Sequence, residues 1–311
     1  MKQSFLTALS AVMAKSAILQ PVLGDRLRNG LTRLSKSAWL ALNPRTSLEV
    51  AQLFASPALR PVLRVEPRLM FKFLRDYLAT DLSRKERAAM LIHHYAFLKD
   101  RVGADFFAQI IDRRLELLAL DEGGHVHRIW LSFPRTPYSE GDLMLTFEVE
   151  GDDIYTLSFT IGPGDIAGLS TPDAMYIARV QGKGKGLDRI RQATRDCHDV
   201  SPAMLLLTTA EGIAEALGLG HMVGIGASTQ VAKDGVKTGN LFKAYDEFWK
   251  AVGGAPLHRN MYDLLVPIPN KPIASIKRDH RSRTQRKRRF KKSIKEQVRE
   301  TFRERALRGA S

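Results

Sequence analysis

The 311-residue chain carries a single cysteine, Cys197. One cysteine excludes an internal disulfide and any cysteine-built zinc cage, and it fits a reducing compartment. Long apolar runs are missing as well: no stretch approaches the ~18 residues that a membrane-crossing helix needs. Acidic residues are scarce at one end only. From Lys277 onward 15 Lys/Arg stand against 4 Asp/Glu, a net of +11 out of the chain's +15. The rest is nearly neutral, which describes a globule with a basic tail and excludes a uniformly basic nucleic-acid binder. Phe290 and Phe302 are the aromatic residues of that tail, so base stacking has little to work with.

With 44% hydrophobic residues the chain can bury a sizeable core, and its length suggests roughly two domains. Phe5, Leu9, Val12 and Met13 mark one helical face at the N-terminus, and Thr7, Ser10 and Lys15 interrupt the apolar run. This predicts an amphipathic helix rather than a cleaved signal. Residues 1–120 read as helical throughout. Ser47 is the expected N-cap of one helix, Ser83-Arg-Lys-Glu86 forms a capping box for another, and helical spacing continues from Phe106 to Leu120. His93 and His94 would point ~100° apart on a helix, which suits packing better than a shared metal ion.

Past Asp121-Glu-Gly-Gly124 the apolar period changes to two. His125–Phe133, Leu143–Val149, Tyr155–Ile161 and Met175–Val180 predict a meander of about four strands. His125 and His127 share a face without a visible third ligand, so they read as half-buried strand residues. Ser201-Pro202 then opens a helix, His221–Ser228 is a short strand, and Leu241–Val252 is a helix closed by Gly253-Gly254. Asn260–Pro267 is a last strand. The order is α+β: a helical region (1–120), a mostly antiparallel sheet flanked by helices (121–276) and a basic tail (277–311). In the tail Phe290, Ile294, Val298 and Phe302 fall four apart. Such a helix can lie on an anionic membrane, bind RNA, or pack on its own domain.

The stretch with most chemical content is Arg179-Val-Gln-Gly182-Lys183-Gly184-Lys185-Gly186, between a strand and a helix beginning at Leu187. Alternating glycines let backbone approach a ligand, the helix start offers free N–H groups, and two lysines add positive charge. This suits a phosphate or pyrophosphate; it also suits a mobile connector, and the residues alone leave both open.

Several segments together resemble the bacterial VirK/YbjX family. They are His94-Tyr95, Tyr155-Thr-Leu-Ser-Phe-Thr160, Arg179-Val-Gln-Gly182, the Pro202 helix with Leu205-Leu-Leu207, and Tyr245-Asp-Glu-Phe-Trp249 before Gly253-Gly254. The stretch from Lys277-Arg278 to Arg283 is similar to that family's basic C-terminal signature. The likeness implies an accessory protein associated with virulence, surface-protein support or resistance to envelope and other stress, without an assigned reaction. It would act in the cytoplasm, held peripherally at the inner membrane by residues 277–311 on an anionic surface. Nucleic acid is the less favoured partner of the same tail.

A second resemblance is at the level of fold. Strand, Gln181–Gly186 and helix look like the acyl-CoA pyrophosphate loop of the N-acetyltransferase superfamily. This implies acetyl-CoA or another acyl-CoA as ligand, with Arg179, Gln181, Gly182, Lys183, Gly184, Lys185 and Gly186 at its phosphates. In the corresponding later helix Trp249 stands where the superfamily's tyrosine acid would sit, and Tyr245 lies one turn earlier. Tyr245 as acid, with Glu148 or His198 as base, completes the catalytic set implied by this likeness. No metal is expected.

Overall fold

A computed structural model describes residues 34–134, 140–183, 187–231 and 239–308. The predicted N-terminal helix, and Gly184, Lys185 and Gly186 of the glycine turn, lie outside them. The chain is α+β. Helices α1 (34–42), α2 (Pro44–Phe54), α3 (Arg60–Val65), α4 (Arg84–Arg101) and α5 (Phe106–Asp112) lead into the sheet. Pro44 at the first helical position starts α2 after Asn43, so Ser47 falls inside the helix. Its hydroxyl donates back to the Asn43 carbonyl at 2.9 Å instead of capping. The capping box of α4 forms as read: Glu86 N–H donates to Ser83 Oγ and Ser83 N–H to Glu86 Oε2.

The eight strands are β1 (Leu115–Glu122), β2 (His125–Ser132), β3 (Leu143–Val149), β4 (Asp152–Pro163), β5 (Asp173–Gly182), β6 (His221–Ile225), β7 (Ala255–Leu257) and β8 (Met261–Leu265). Their order in the sheet is β1-β2-β3-β4-β5-β6-β8-β7, antiparallel except for β5 and β6. β1 corrects the sequence reading, which continued a helix to Leu120. Arg114 takes a left-handed φ of 58° and breaks the helix after Asp112. Pairing with β2 then overrides the good helix propensity of Leu115-Glu-Leu-Leu-Ala-Leu. A bulge at Glu116–Leu118 turns both Leu117 and Leu118 inward.

Helices α6 (Leu187–Asp196), α7 (Pro202–Ala216) and α8 (Gly239–Ala251) follow β5 and β6, and α9 (Arg281–Ala306) ends the described chain. Ser201 caps α7 by accepting from Met204 N–H, with Pro202 at the first position. The apolar stripe of α9 packs on the protein's own domain. Ile294, Val298 and Phe302 are buried against α7 and β1. Gly212 of α7 permits the close crossing, since a Cβ there would lie 2.9 Å from the Lys295 carbonyl. Lys295 also binds Glu211 and Glu215 at 2.8 and 2.7 Å. One apolar core runs from Val50 to Ala306. Among the described residues no helix is long and apolar enough to cross a membrane.

Candidate functional site

The sheet is divided along the free edge of β5. Only Met175, Tyr176 and Ile177 pair with β6, opposite Met222, Val223 and Gly224. At that point the β4 register shifts from Phe159↔Ile177 to Ser158↔Arg179, leaving Ala178 as an extra residue. A bulge of this kind bends its strand. Beyond it, from Arg179 to Gly182, β5 has β4 as its strand partner, and among the described residues no strand pairs with its other edge.

Helix α8 bridges the divergence. Tyr245 and Trp249 are one turn apart and share a helical face. Trp249 is fully buried, its indole N–H donates to the Ile225 carbonyl at 3.0 Å, and its ring lies on Gly224. A Cβ on Gly224 would come within 2.4 Å of that ring. Tyr245 reaches the other side of the gap, where its hydroxyl accepts the Val180 N–H at 3.2 Å. Burial, together with the field of Glu140, pushes its pKa up to about 12, so the phenol stays protonated at neutral pH. Among the described residues no acceptor takes its proton.

The face of the sheet below this edge is polar and incompletely satisfied. Directly paired residues share a face, so Arg179 stands beside Ser158, and Thr146 lies on the same face opposite Thr156. Arg179 Nε, Ser158 Oγ and Thr146 Oγ1 are all buried without a hydrogen-bond partner among the described residues. Buried polar groups are seldom left so. Among the described residues, three such groups lie on this one face.

The strand-leading turn Glu140-Gly-Asp142 holds this face to the N-terminal helices. Asp142 is buried, and its carboxylate accepts from Lys72 Nζ at 2.9 Å, Thr160 Oγ1 at 2.6 Å, Tyr95 at 3.3 Å and the Tyr77 hydroxyl. Burial raises its pKa, but the Lys72 ammonium and the hydroxyl donors more than reverse this and leave it at about 2. Tyr77 and Tyr95 are pushed well above the usual phenol range by burial and by that same carboxylate. His94 accepts the Ile161 N–H on Nδ1 at 3.0 Å, and burial lowers its pKa to about 4, so it is neutral with its proton on Nε2. Gly141 fits only because it lacks a side chain: a Cβ would lie 2.7 Å from the Phe159 nitrogen. The turn carries Glu140 inward to 2% exposure, within the field of Tyr245.

The residues read from the sequence are therefore only partly gathered. Arg179, Gln181, Gly182 and Tyr245 line the open edge of β5. Lys183 turns away, bound to Asp153 at 2.7 Å beside Arg114. Gly184, Lys185 and Gly186 lie outside the described residues. Glu148 accepts from Trp130 Nε1 at 3.0 Å and pairs with Arg128. It sits two strands across and four residues along from the Ser158–Arg179 row, roughly 15 Å away at ordinary strand spacings. His198 lies against Phe290 of α9, with Glu122 at 3.7 Å. His125 and His127 both face Asp196, at 3.1 and 3.6 Å, and no group of three or more metal-ligating residues occurs among the described residues. Lys72, Tyr77, Glu140 and Asp142 escaped the sequence reading, since Ser139-Glu-Gly-Asp142 has the composition of an exposed turn.

Residues 27–300 match a family model described as "Protein of unknown function (DUF535)". The chain is 29% identical over 269 residues to the "Uncharacterized protein YbjX" of Escherichia coli (strain K12), covering 84% of this chain and 80% of that one. No solved structure gives a significant match. The motifs of the sequence resemblance converge in space, with His94-Tyr95 and Thr160 around Asp142, and Arg179–Gly182 and Tyr245 along the open edge. The chain belongs to the VirK/YbjX family, the family of that DUF535 model.

Proposed function

We propose that the chain binds an acyl-CoA along the open edge of β5 and transfers the acyl group to an amine. The observation that carries this reading is the divergence of β5 from β6 beside a row of unpartnered buried polar atoms, with the Tyr245 hydroxyl at its mouth. The gap gives an extended pantetheine arm a strand edge to lie along. Arg179, Gln181 and Gly182 would meet its polar end. A bound thioester supplies an electrophilic carbonyl that an amine can attack without strong activation.

Tyr245 holds its proton on Oη at neutral pH, since its pKa lies near 12. A thiolate leaving group has a pKa near 8.5, so full proton transfer from Tyr245 would run uphill by about 5 kcal/mol. Tyr245 therefore acts as a hydrogen-bond donor that steadies the departing sulfur, a lesser role than the acid implied by the N-acetyltransferase likeness. Glu140, whose charge Tyr245 feels, would take the proton that a neutral attacking amine sheds as its nitrogen bonds to the thioester carbon, while the thiolate leaves as the C–S bond breaks. Calorimetric titration with acetyl-CoA, followed by thiol release with amine acceptors, tests the reading. Saturable binding below millimolar is expected; no heat at millimolar ligand ends it.

A second reading concerns the virulence and envelope association of the family and rests on α9. Residues 277–292 carry 10 Lys/Arg and one acid. The apolar stripe is buried, so contact with an anionic leaflet would be electrostatic, worth ~1 kcal/mol per basic residue near the surface. Vesicle sedimentation should then weaken steeply with salt, and salt-insensitive binding would reject it. Nucleic acid competes for the same charges and is tested by the same salt series.

A further inference from the structure

The inward face of α9 changes character along its length. Ile294, Val298 and Phe302 form its buried apolar half. Continuing the same stripe toward the N-terminus by steps of three and four gives Lys291, Arg288, Lys287 and Thr284. These four are half-buried. They line a cleft of about 360 Å³, closed on the other side by Val200, Ser201 and Met204 at the start of α7, with Asn270 at its rim.

Three cations on an inward helix face call for carboxylates, and the cleft has one. Asp199 lines it and is already held by Arg283 at 2.7 Å. Arg288 uses one N–H on the Lys271 carbonyl at 2.5 Å. Lys287 and Lys291 form no hydrogen bond or ion pair among the described residues. Burial lowers the pKa of Lys291, and the neighbouring Arg288, Lys295 and Lys287 lower it further against the opposing pull of Glu211. Lining charge thus sums to +2 in a space large enough for a small polar ligand. Val200 and Met204 add an apolar wall against which a carbon moiety can rest.

We propose that this cleft binds a phosphate monoester, with Lys287, Arg288 and Lys291 gripping the dianion and Thr284 adding a hydroxyl. Charge-assisted bonds of this kind are the strong ones, and a doubly charged phosphate neutralises the lining. The same chemistry comes from two sources, a phosphomonoester lipid headgroup or a soluble phosphomonoester. The site depends on neither the acyl-transfer reading nor the membrane reading.

The test uses the full chain and two double variants of equal charge change. Lys287→Gln with Lys291→Gln empties the cleft; Arg286→Gln with Arg289→Gln alters the same stretch of helix outside it. Inorganic phosphate and glycerol 3-phosphate are titrated by calorimetry, with thermal midpoints recorded alongside. Expected is saturable binding that falls at least tenfold in the cleft variant and less than twofold in the control. Phosphate should raise the midpoint of the parent and the control but not of the cleft variant. Removing two unpaired cations should leave the unliganded midpoint unchanged or higher, so a lost signal is not lost folding. Vesicles with phosphatidic acid or phosphatidylglycerol at equal charge separate the sources. A preference for the monoester lipid that the cleft variant loses assigns a headgroup; phosphate binding without that preference assigns a soluble ligand. Absence of saturable phosphate binding overturns the site. So do equal losses in both doubles with single-stranded RNA held as tightly as vesicles, which would make α9 a general polyanion surface.

Discussion

Replacing Asp142 by Asn tests the interior that holds the candidate site in place. The side chain keeps its shape, but the carboxylate now accepts four donors: Lys72, Tyr95, Tyr77 and Thr160. An amide offers one oxygen, and its NH2 would face two of those donors. Lys72 would keep its charge at 12% exposure with no counter-ion. Breaking a buried pair in this way costs about 3–5 kcal/mol. The pH dependence gives a second handle. The carboxyl titrates near 2 in the fold and near 3.9 when unfolded, so ionisation contributes about 2.5 kcal/mol above pH 3.9, lost as pH falls toward 2. His94 acts in a different window. It stays neutral in the fold down to about pH 4, whereas the unfolded imidazole takes a proton below about 6.5, so acidification between those values costs about 3 kcal/mol. Urea unfolding at several pH values reads both terms. Asp142→Asn should lower the midpoint strongly at pH 7 with an unchanged slope, and His94→Asn should flatten the fall between pH 6.5 and 4.5. A loss below 1 kcal/mol at pH 7 for Asp142→Asn would refute the buried cluster.

Other perturbations address the site and its frame. Tyr245→Phe removes the partner of the Val180 N–H, which should cost about 1 kcal/mol in stability and reduce acyl transfer at least tenfold with little change in acetyl-CoA affinity. An unchanged rate would remove Tyr245 from the chemistry. Gly224→Ala should destabilise by about 1–3 kcal/mol, because its methyl meets the Trp249 ring at 2.4 Å; a neutral thermal midpoint would mean that α8 is loosely seated. Phe302→Ala should cost about 3–5 kcal/mol by calorimetry, since the ring is fully buried; a loss under 1 kcal/mol would show that α9 is dispensable to the core.

The sequence carried the local signals well. Ser83 with Glu86, Ser201 with Pro202 and the alternation of Leu143–Val149 encode their elements within a few residues, because caps and pleats are short-range physics. Leu115–Glu122 was illegible for the opposite reason: its strand state depends on β2 and on the left-handed Arg114. The stripe of α9 was visible, but whether it faced lipid or protein depended on Gly212 of a helix some 80 positions earlier. Of the site, Tyr245 and Arg179–Gly182 could be picked out as motifs. The Asp142 cluster could not, since its members come from four separate segments and a buried acid looks in sequence like any turn residue. His198 and Glu148 were picked out by residue type, and their contacts with Phe290 and Trp130 depend on long-range packing that the sequence does not display.

Acyl-CoA carries several negative charges of its own and could be held by the cations of α9 without entering the sheet. Amide hydrogen exchange with and without acetyl-CoA separates the two outcomes residue by residue. Binding in the proposed slot predicts slower exchange, by about tenfold or more, at Ala178–Gly182 and in the turn of α8 that carries Tyr245. Protection confined to residues 281–292, or none along β5, would contradict the assignment of the open edge as an acyl-CoA site.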